Sequence, residues 1–367
     1  MSRTTIPLAT GSVAIDVARA DWPLDRLCGF AARDNPRRAF LVVSKVLGRH
    51  VPVAPSVMRA SFRDLAARIP DLPGPVLVIG LAETAICLGQ GVHEELRRRW
   101  RRDDVLSLHS TRQQLDHPLL ARFEEPHSHA SSHLLYRPDD LRFAQARSLV
   151  LVDDEVSSGT TLVNLATAIV AAMPTLERIV AVSLTDWSNG DVARRMPLPA
   201  TAISLVSGSL DWTAGAQPPR HEPPAFDVAA RALGTLTRHH NFGRLGRSDI
   251  ADERDGLADT LALPRSARLR VVGTCEFTYP PFRLAERLEQ AGHDVVVQST
   301  TRSPALIGGA ITSRIAFADN YATGVANFLY NATDDDRLTL ICHETQRDSI
   351  DPLLIDRLGA RTLYFGD

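Results

Sequence analysis

Short apolar runs alternate along the chain with longer stretches in which apolar residues recur every three or four positions, the pattern of an α/β protein. FLVVS (40–44), PVLVIG (75–80), VLSLHS (105–110), LVLVDD (149–154), RIVAVSLTD (178–186) and ISLVSG (203–208) predict strands. Between them, Ala85–Arg99 and Thr160–Met173 predict helices. In the second, Leu162, Val163, Leu165, Ala166, Ile169 and Val170 line one face. Residues 209–226, SLDWTAGAQPPRHEPPAF, break this rhythm with two Pro-Pro pairs and predict a linker. A second series follows: LRVVG (269–273), a helix near Phe282–Ala291, DVVVQST (294–300), a helix near Tyr321–Tyr330, LTLICHE (338–344) and RTLYFG (361–366). The expected architecture is α/β in two units, 1–208 and 227–367, joined by 209–226. No internal repeat or low-complexity tract interrupts it.

Composition narrows the class. A chain of 367 residues exceeds a comfortable single core, and 44% hydrophobic with 23% charged residues fits a soluble globular protein. With 41 basic and 43 acidic residues the formal charge is −2, which argues against nucleic acid as a bulk electrostatic partner. The arginine runs at 97–99 and 101–102 end a predicted helix, where cations suit the dipole. Cys28, Cys87, Cys275 and Cys342 are scattered, with no CxxC, a usage that suits a reducing cytoplasm rather than a disulfide framework or zinc knuckle. The first residues carry no basic-then-apolar signal pattern, and no apolar run approaches membrane-spanning length. The expectation is a cytoplasmic protein without a membrane partner.

The chemistry is concentrated in LVLVDDEVSSGTT (149–161), an apolar strand running into three carboxylates and then small hydroxyl residues before an amphipathic helix. A helix start preceded by small residues offers unpaired N–H groups and a positive dipole end to a phosphate. Gly159 permits close backbone approach, and Ser157, Ser158, Thr160 and Thr161 add hydroxyl donors. Carboxylates at such a place suit sugar hydroxyls, or a magnesium ion bridging sugar and phosphate. The stretch therefore describes a ribose 5-phosphate site. An ordinary capped strand-to-helix turn uses the same residue types.

VLVDDEVSSGTT resembles the phosphoribosyl pyrophosphate (PRPP) motif of type I phosphoribosyltransferases, in style closest to orotate phosphoribosyltransferase. The resemblance implies a parallel sheet flanked by helices. It implies that Asp153 and Asp154 bind the ribose hydroxyls and are the candidate ligands of Mg2+, with Glu155 beside them. Ser157, Ser158, Gly159, Thr160 and Thr161 would hold the 5′-phosphate. VLVIGLAETAICLG (76–89) takes the place of the family's pyrophosphate loop, but Leu81, Ala82, Glu83 and Thr84 put an acid where the family usually has a base. Glu83 then acts through magnesium, marks a changed reaction, or is simply a favourable acid in a helix's first turn. The catalytic lid would fall within 110–138, read as a loop, with Arg112, Glu125, His127 and His129 facing pyrophosphate or base; His127, His129 and His133 also invite a zinc reading, and role-free loop histidines are the other reading. FLVVSKVLGRHVPVAPSVM (40–58) resembles the hood over the nucleobase, with Lys45, Arg49 and His50 as contacts.

In the second unit, GTCEFTYPPF (273–282) and STTRSPAL (299–306) follow apolar strands, so their polar residues belong at the carboxyl ends of a sheet, where open α/β sheets bind ligands. Thr274, Glu276, Tyr279, Thr301, Arg302 and Ser303 are candidates for one crevice, joined by Asp319, Asn320, His343 and Glu344. Arg302 among hydroxyls suits an anion; alternatively, Ser303-Pro304 caps a helix. HHNFGRLGR (239–247) is a basic, Gly-rich interdomain or phosphate-contacting loop. Both motifs resemble the TRSP domain, which follows phosphoribosyltransferase domains in proteins of tellurite-resistance and stress gene clusters. The combined reading is a magnesium-dependent enzyme that transfers ribose 5-phosphate from PRPP to a base or other small-molecule acceptor, with a homodimer implied by the resemblance. Its alternatives are a PRPP- or nucleotide-binding regulator without catalysis, and a second unit that is itself the main catalyst.

Overall fold

The computed structural model describes residues 3–35, 38–124, 132–216, 241–250, 256–332 and 335–366. The first half runs β1 (Thr4–Leu8), β2 (Gly11–Ala20), α1 (Leu24–Leu27), β3 (Cys28–Ala32), β4 (Phe40–Ser44), α2 (Pro55–Arg68), β5 (Val76–Gly80), α3 (Ile86–Trp100) and β6 (Val105–His109). It continues through β7 (Leu119–Glu124), β8 (Ser132–Tyr136), β9 (Ser148–Val156), α4 (Thr160–Ala172), β10 (Arg178–Asp186), α5 (Asp191–Arg194) and β11 (Ala200–Ala214). The second half carries α6 (Leu257–Thr260), β12 (Arg268–Gly273), α7 (Tyr279–Gln290), β13 (Asp294–Ser299), β14 (Arg314–Ala318) and β15 (Ala326–Tyr330). It ends with β16 (Leu338–His343), α8 (Pro352–Leu358) and β17 (Arg361–Tyr364).

The first sheet has the order β1-β2-β11-β10-β9-β5-β6, parallel from β11 to β6 and antiparallel at β1 and β2. Val76–Gly80 and Val105–His109 are buried along their whole length, as are the first five residues of β9, which is why these strands read as unbroken apolar runs. The strand order reverses between β5 and β9. In an open parallel sheet a crevice forms at the carboxyl ends of two such strands.

The second sheet, β13-β12-β16-β17, is wholly parallel, and the chain enters it at β12. Its order also reverses between neighbours, here β12 and β16. The two halves share one apolar core: Phe62 of α2 meets Phe282 of α7 edge-on at 5.3 Å, and α7 packs on both α2 and α3.

Three expectations need correction. Residues 209–214 are not linker: they extend β11 along β2, with Leu210 opposite Ile15 and Trp212 opposite Val13. Residues 217–226, the remainder of that call apart from 215 and 216, lie outside the described residues. The segment 321–330 ends in the strand β15 rather than forming a helix, paired antiparallel with β14. The interval 110–138 is not all loop, because β7 and β8, on either side of the undescribed 125–131, pair antiparallel.

Candidate functional site

The carboxyl ends of β5 and β9 lie side by side, with Gly80 paired to Val152 and the Leu81 N–H donating to the Val152 carbonyl at 3.0 Å. This bond starts the turn 81–84 at the residue that precedes Asp153 on β9. Both acids are partly exposed at the strand end, and Asp153 Oδ1 accepts the Asp154 N–H at 2.9 Å. Burial, with Glu155 next to it, raises the Asp154 carboxyl to about 6. Such an acid gains most from a cation or from hydroxyl donors. Glu155 differs from its neighbours, because Arg38 Nη2 donates to both of its oxygens at 2.6 and 2.7 Å. Its charge is held by a guanidinium across the turn.

Gly159 precedes α4 with φ +75°, and no side chain caps that helix from Gly159. Ser158 Oγ donates to Thr160 Oγ1 at 3.1 Å, while Ser157 and Thr161 stay half-buried at the same turn. Arg195, just after the short helix α5, donates to the Ser158 carbonyl at 2.6 Å and to Thr160 Oγ1 at 3.2 Å. The sequence reading missed this cation. Its only signal was an Arg pair following the β10 turn.

Across the crevice, the turn 81–84 is held by Ser110, whose Oγ accepts the Ala82 N–H at 2.9 Å and lies 3.2 Å from His133 Nδ1. The peptide between Ala82 and Glu83 is cis. Glu83 precedes α3 and is not in its first turn. Its buried carboxylate is ringed by Arg49 at 3.5 Å, Arg112 at 3.5 Å and Arg302 at 3.6 Å. Burial opposes its charge, yet those three guanidinium groups and the Arg302 N–H hold its carboxyl below the usual range. Three guanidinium groups already offset the charge of this carboxylate.

The second half faces the same turn. Arg49, read as a hood contact, instead donates to the Cys275 carbonyl at 2.7 Å and to the Thr300 carbonyl, tying the halves together. Lys45 donates to the Asp25 carbonyl at 2.7 Å, and His50 is buried with its ring 5.6 Å from Tyr330, where burial beside Arg49 lowers it to about 3. Glu276 accepts from Thr111 Oγ1 at 2.5 Å and from the Arg112 N–H at 2.7 Å. Arg244, from the basic Gly-rich stretch, pairs in bidentate fashion with Glu344 at 2.6 and 2.6 Å and lies 3.5 Å from Glu276. Tyr321 donates to Glu344 at 2.6 Å.

The other candidates divide: Asn320 donates to Thr274 Oγ1 at 3.4 Å and shares Thr345 with His343, while the rest lie elsewhere. Tyr279 points away from this crevice, donating to Glu94 on α3 at 2.6 Å. Thr301 pairs its backbone with Phe328, Asp319 accepts from Thr323, and His343 sits buried at the end of β16 with its Nδ1 3.1 Å from the Thr345 carbonyl. Asn320 donates to Thr345 at 2.9 Å. Ser303 is followed by extended chain and caps no helix. Glu125, His127 and His129 lie outside the described residues. His133 stacks on Phe123 and faces Ser110 and Arg112, and among the described residues no group of three or more His, Cys, Asp or Glu is gathered for a metal. All four cysteines are buried and free; burial pushes the Cys275 thiol up to about 12. No helix among the described residues is long and apolar enough to cross a membrane.

Comparison with known proteins agrees with these halves. Residues 27–209 match the family model for a phosphoribosyl transferase, and residues 240–358 match the TRSP domain found C-terminal to it. No curated protein matched. Among solved structures, adenine phosphoribosyltransferase from Rhodothermus marinus is 15% identical, covering 49% of this chain and 94% of its own, with a TM-score of 0.33. Its counterpart from Giardia lamblia, solved with 9-deazaadenine, is 14% identical over 50% and 97%, with a TM-score of 0.34. Orotate phosphoribosyltransferase from Aeropyrum pernix is 15% identical over 46% and 80%, with a TM-score of 0.29. The two family matches together account for most of the chain, which thus belongs to the phosphoribosyl transferase family in the form that carries a TRSP domain, and is a pentosyltransferase by class.

Proposed function

We propose that the chain binds PRPP with magnesium across the β5–β9 crevice and transfers its ribose 5-phosphate to a small nucleophile, a nucleobase or a related acceptor. The observation carrying this reading is the hydrogen bond, Leu81 N–H to Val152 carbonyl, that starts the turn 81–84 at the residue preceding Asp153. In this reading the start of α4 and the hydroxyls of 157–161 take the 5′-phosphate, and Asp153 and Asp154 accept the ribose hydroxyls. The donor set fits a hard divalent cation: two carboxylates at a strand end, one with its charge disfavoured by burial. Asp153 and Asp154 are the residues that would hold magnesium or its waters, and the ion would supply charge neutralisation to the departing pyrophosphate. The bond from C1′ to pyrophosphate breaks as the bond to the acceptor forms, with inversion at C1′ and loss of a proton from the acceptor.

Purified full-length protein incubated with PRPP, Mg2+ and a panel of nucleobases should release pyrophosphate with at least one acceptor, read by mass spectrometry. The double substitution Asp153→Asn, Asp154→Asn should weaken PRPP binding at least tenfold in calorimetry while leaving the melting temperature of the protein no lower. Wild-type affinity in that variant would overturn the ribose assignment.

A further inference from the structure

The phosphoribosyl transferase half has an acid in the loop where a leaving pyrophosphate needs cations. The structure shows where cations approach that loop, and one of them belongs to the other half. Arg302 reaches Glu83 from the turn after β13, with its backbone position fixed by the Thr301–Phe328 bridge.

Two kinds of ion pair meet in this cluster. Arg244 and Glu344 form a closed pair, bidentate at 2.6 Å. The three arginines around Glu83 stand off at 3.5 to 3.6 Å, longer than the roughly 2.7–2.9 Å of a charge-assisted hydrogen bond. One carboxylate cannot satisfy three guanidinium groups. Arg302 Nε and Nη2 are buried with no hydrogen-bond partner, and so is the neighbouring Ser303 Oγ. Buried donors left open at a charged site call for a ligand that accepts several hydrogen bonds. Arg49 is otherwise committed to carbonyls of the second half and Arg112 also faces His133, whereas two nitrogens of Arg302 stay open.

We propose that Arg302 is a pyrophosphate-binding residue: the TRSP half supplies, from across the interface, the cation that the loop 81–84 lacks, and Glu83 holds that guanidinium in place until the anion arrives. This inference rests on the phosphoribosyl reading of the first half. It departs from the expectation that Arg302 centres a separate anion site of the second half, because its charged partner is Glu83. Each phosphate of a diphosphate offers a pair of oxygens that a planar guanidinium grips bidentately and that a point charge grips less well.

The experiment is calorimetry on the full chain with three probes in the presence of Mg2+: PRPP, inorganic pyrophosphate and ribose 5-phosphate. Arg302→Gln should lower the affinity for PRPP and pyrophosphate about tenfold or more, with ribose 5-phosphate changed less than about twofold. Arg302→Lys keeps a charge against Glu83 and should recover only part of that loss. If Arg302→Gln melts far below the wild type, Arg302→Lys decides alone. Wild-type affinity for pyrophosphate in whichever variant is folded overturns the inference and leaves the phosphoribosyl reading standing. A wild-type chain that binds neither PRPP nor ribose 5-phosphate overturns that reading, and this inference with it.

Discussion

Gly159 is the residue on which the turn proposed for the 5′-phosphate depends. Its φ of +75° belongs to the left-handed region, and a Cβ there would stand 2.7 Å from Val192 Cγ2. Gly159→Val meets both obstacles at once, since a β-branched side chain rarely adopts that backbone and the neighbour is packed against α4. Strain of this kind costs about 1–3 kcal/mol, so urea denaturation should show a loss in that range, accompanied by loss of ribose 5-phosphate binding. A variant with native stability and native binding would mean that the turn tolerates another path and is not the cradle. The residue types of this turn were legible in the sequence because their chemistry is local: strand, acids, glycine and helix follow one another within thirteen positions. The cluster around Glu83 was not legible, because Arg49, Arg112 and Arg302 come from three separate segments that only the fold brings together. The same distance effect hid the Arg38–Glu155 pair, which gives one of three adjacent carboxylates a different task.

Among the elements, periodicity found the buried parallel strands and the helices α3, α4 and α7, missed α2, whose start lies in the stretch read as a hood, and failed again where length was short or context dominated. Ala326–Tyr330 is five buried residues long, too short for a period of 3.6 to be told from a period of 2. The end of β11 alternates Leu210 and Trp212 with Ser209 and Asp211, but the prolines that follow drew the reading toward a linker. Helix α7 shows what fixes the elements against each other. Its Tyr279 and Arg283 both bond to Glu94 on α3, which also takes Arg59 of α2 at 2.8 Å and Arg98 at 2.6 Å. Glu94 is 1% exposed; burial works against its charge, but Arg59, Tyr279 and Arg283 bring its carboxyl down to about 2. Removing one partner from a buried network leaves the others uncompensated, at a cost of about 3–5 kcal/mol. Glu94→Gln should therefore lower the unfolding free energy from urea denaturation by an amount near that range, although Gln fills nearly the same volume. A loss below about 1 kcal/mol, the range of surface pairs, would show that the three helices are held by apolar packing alone.

At the scale of the whole molecule, each half covers an open sheet edge of the other. The edge strand β6 exchanges two backbone hydrogen bonds between Ser107 and Arg247, at 2.8 and 2.7 Å. The edge strand β13 does the same with the first half: Val53 and Val297 exchange bonds at 3.2 and 2.8 Å, and the Ser299 N–H reaches the Gly48 carbonyl at 2.7 Å. Gly48 is required there, since its φ is +67° and a Cβ would lie 2.8 Å from the Val297 carbonyl oxygen. The loop 303–311 likewise bonds to the β3–β4 hairpin, at Ala32 and Phe30. Exposed edges invite pairing with other chains, and here the pairing is internal and reciprocal. Added to it are the shared core around Phe62 and Phe282 and the buried charges of Glu83, Glu276 and Arg49. Two separable domains on a tether would not leave such surfaces to bury. Coexpression of the chain as two polypeptides, 1–228 and 229–367, should accordingly give pieces that copurify and elute together in gel filtration at 1 M salt, which screens exposed charge but not buried backbone pairing. Either piece expressed alone should be recovered mainly as aggregate. Two pieces that are each soluble, monomeric and cooperatively folded by calorimetry would show instead that the edges are only lightly joined, and would make the placement of Arg302 beside Glu83 a transient one.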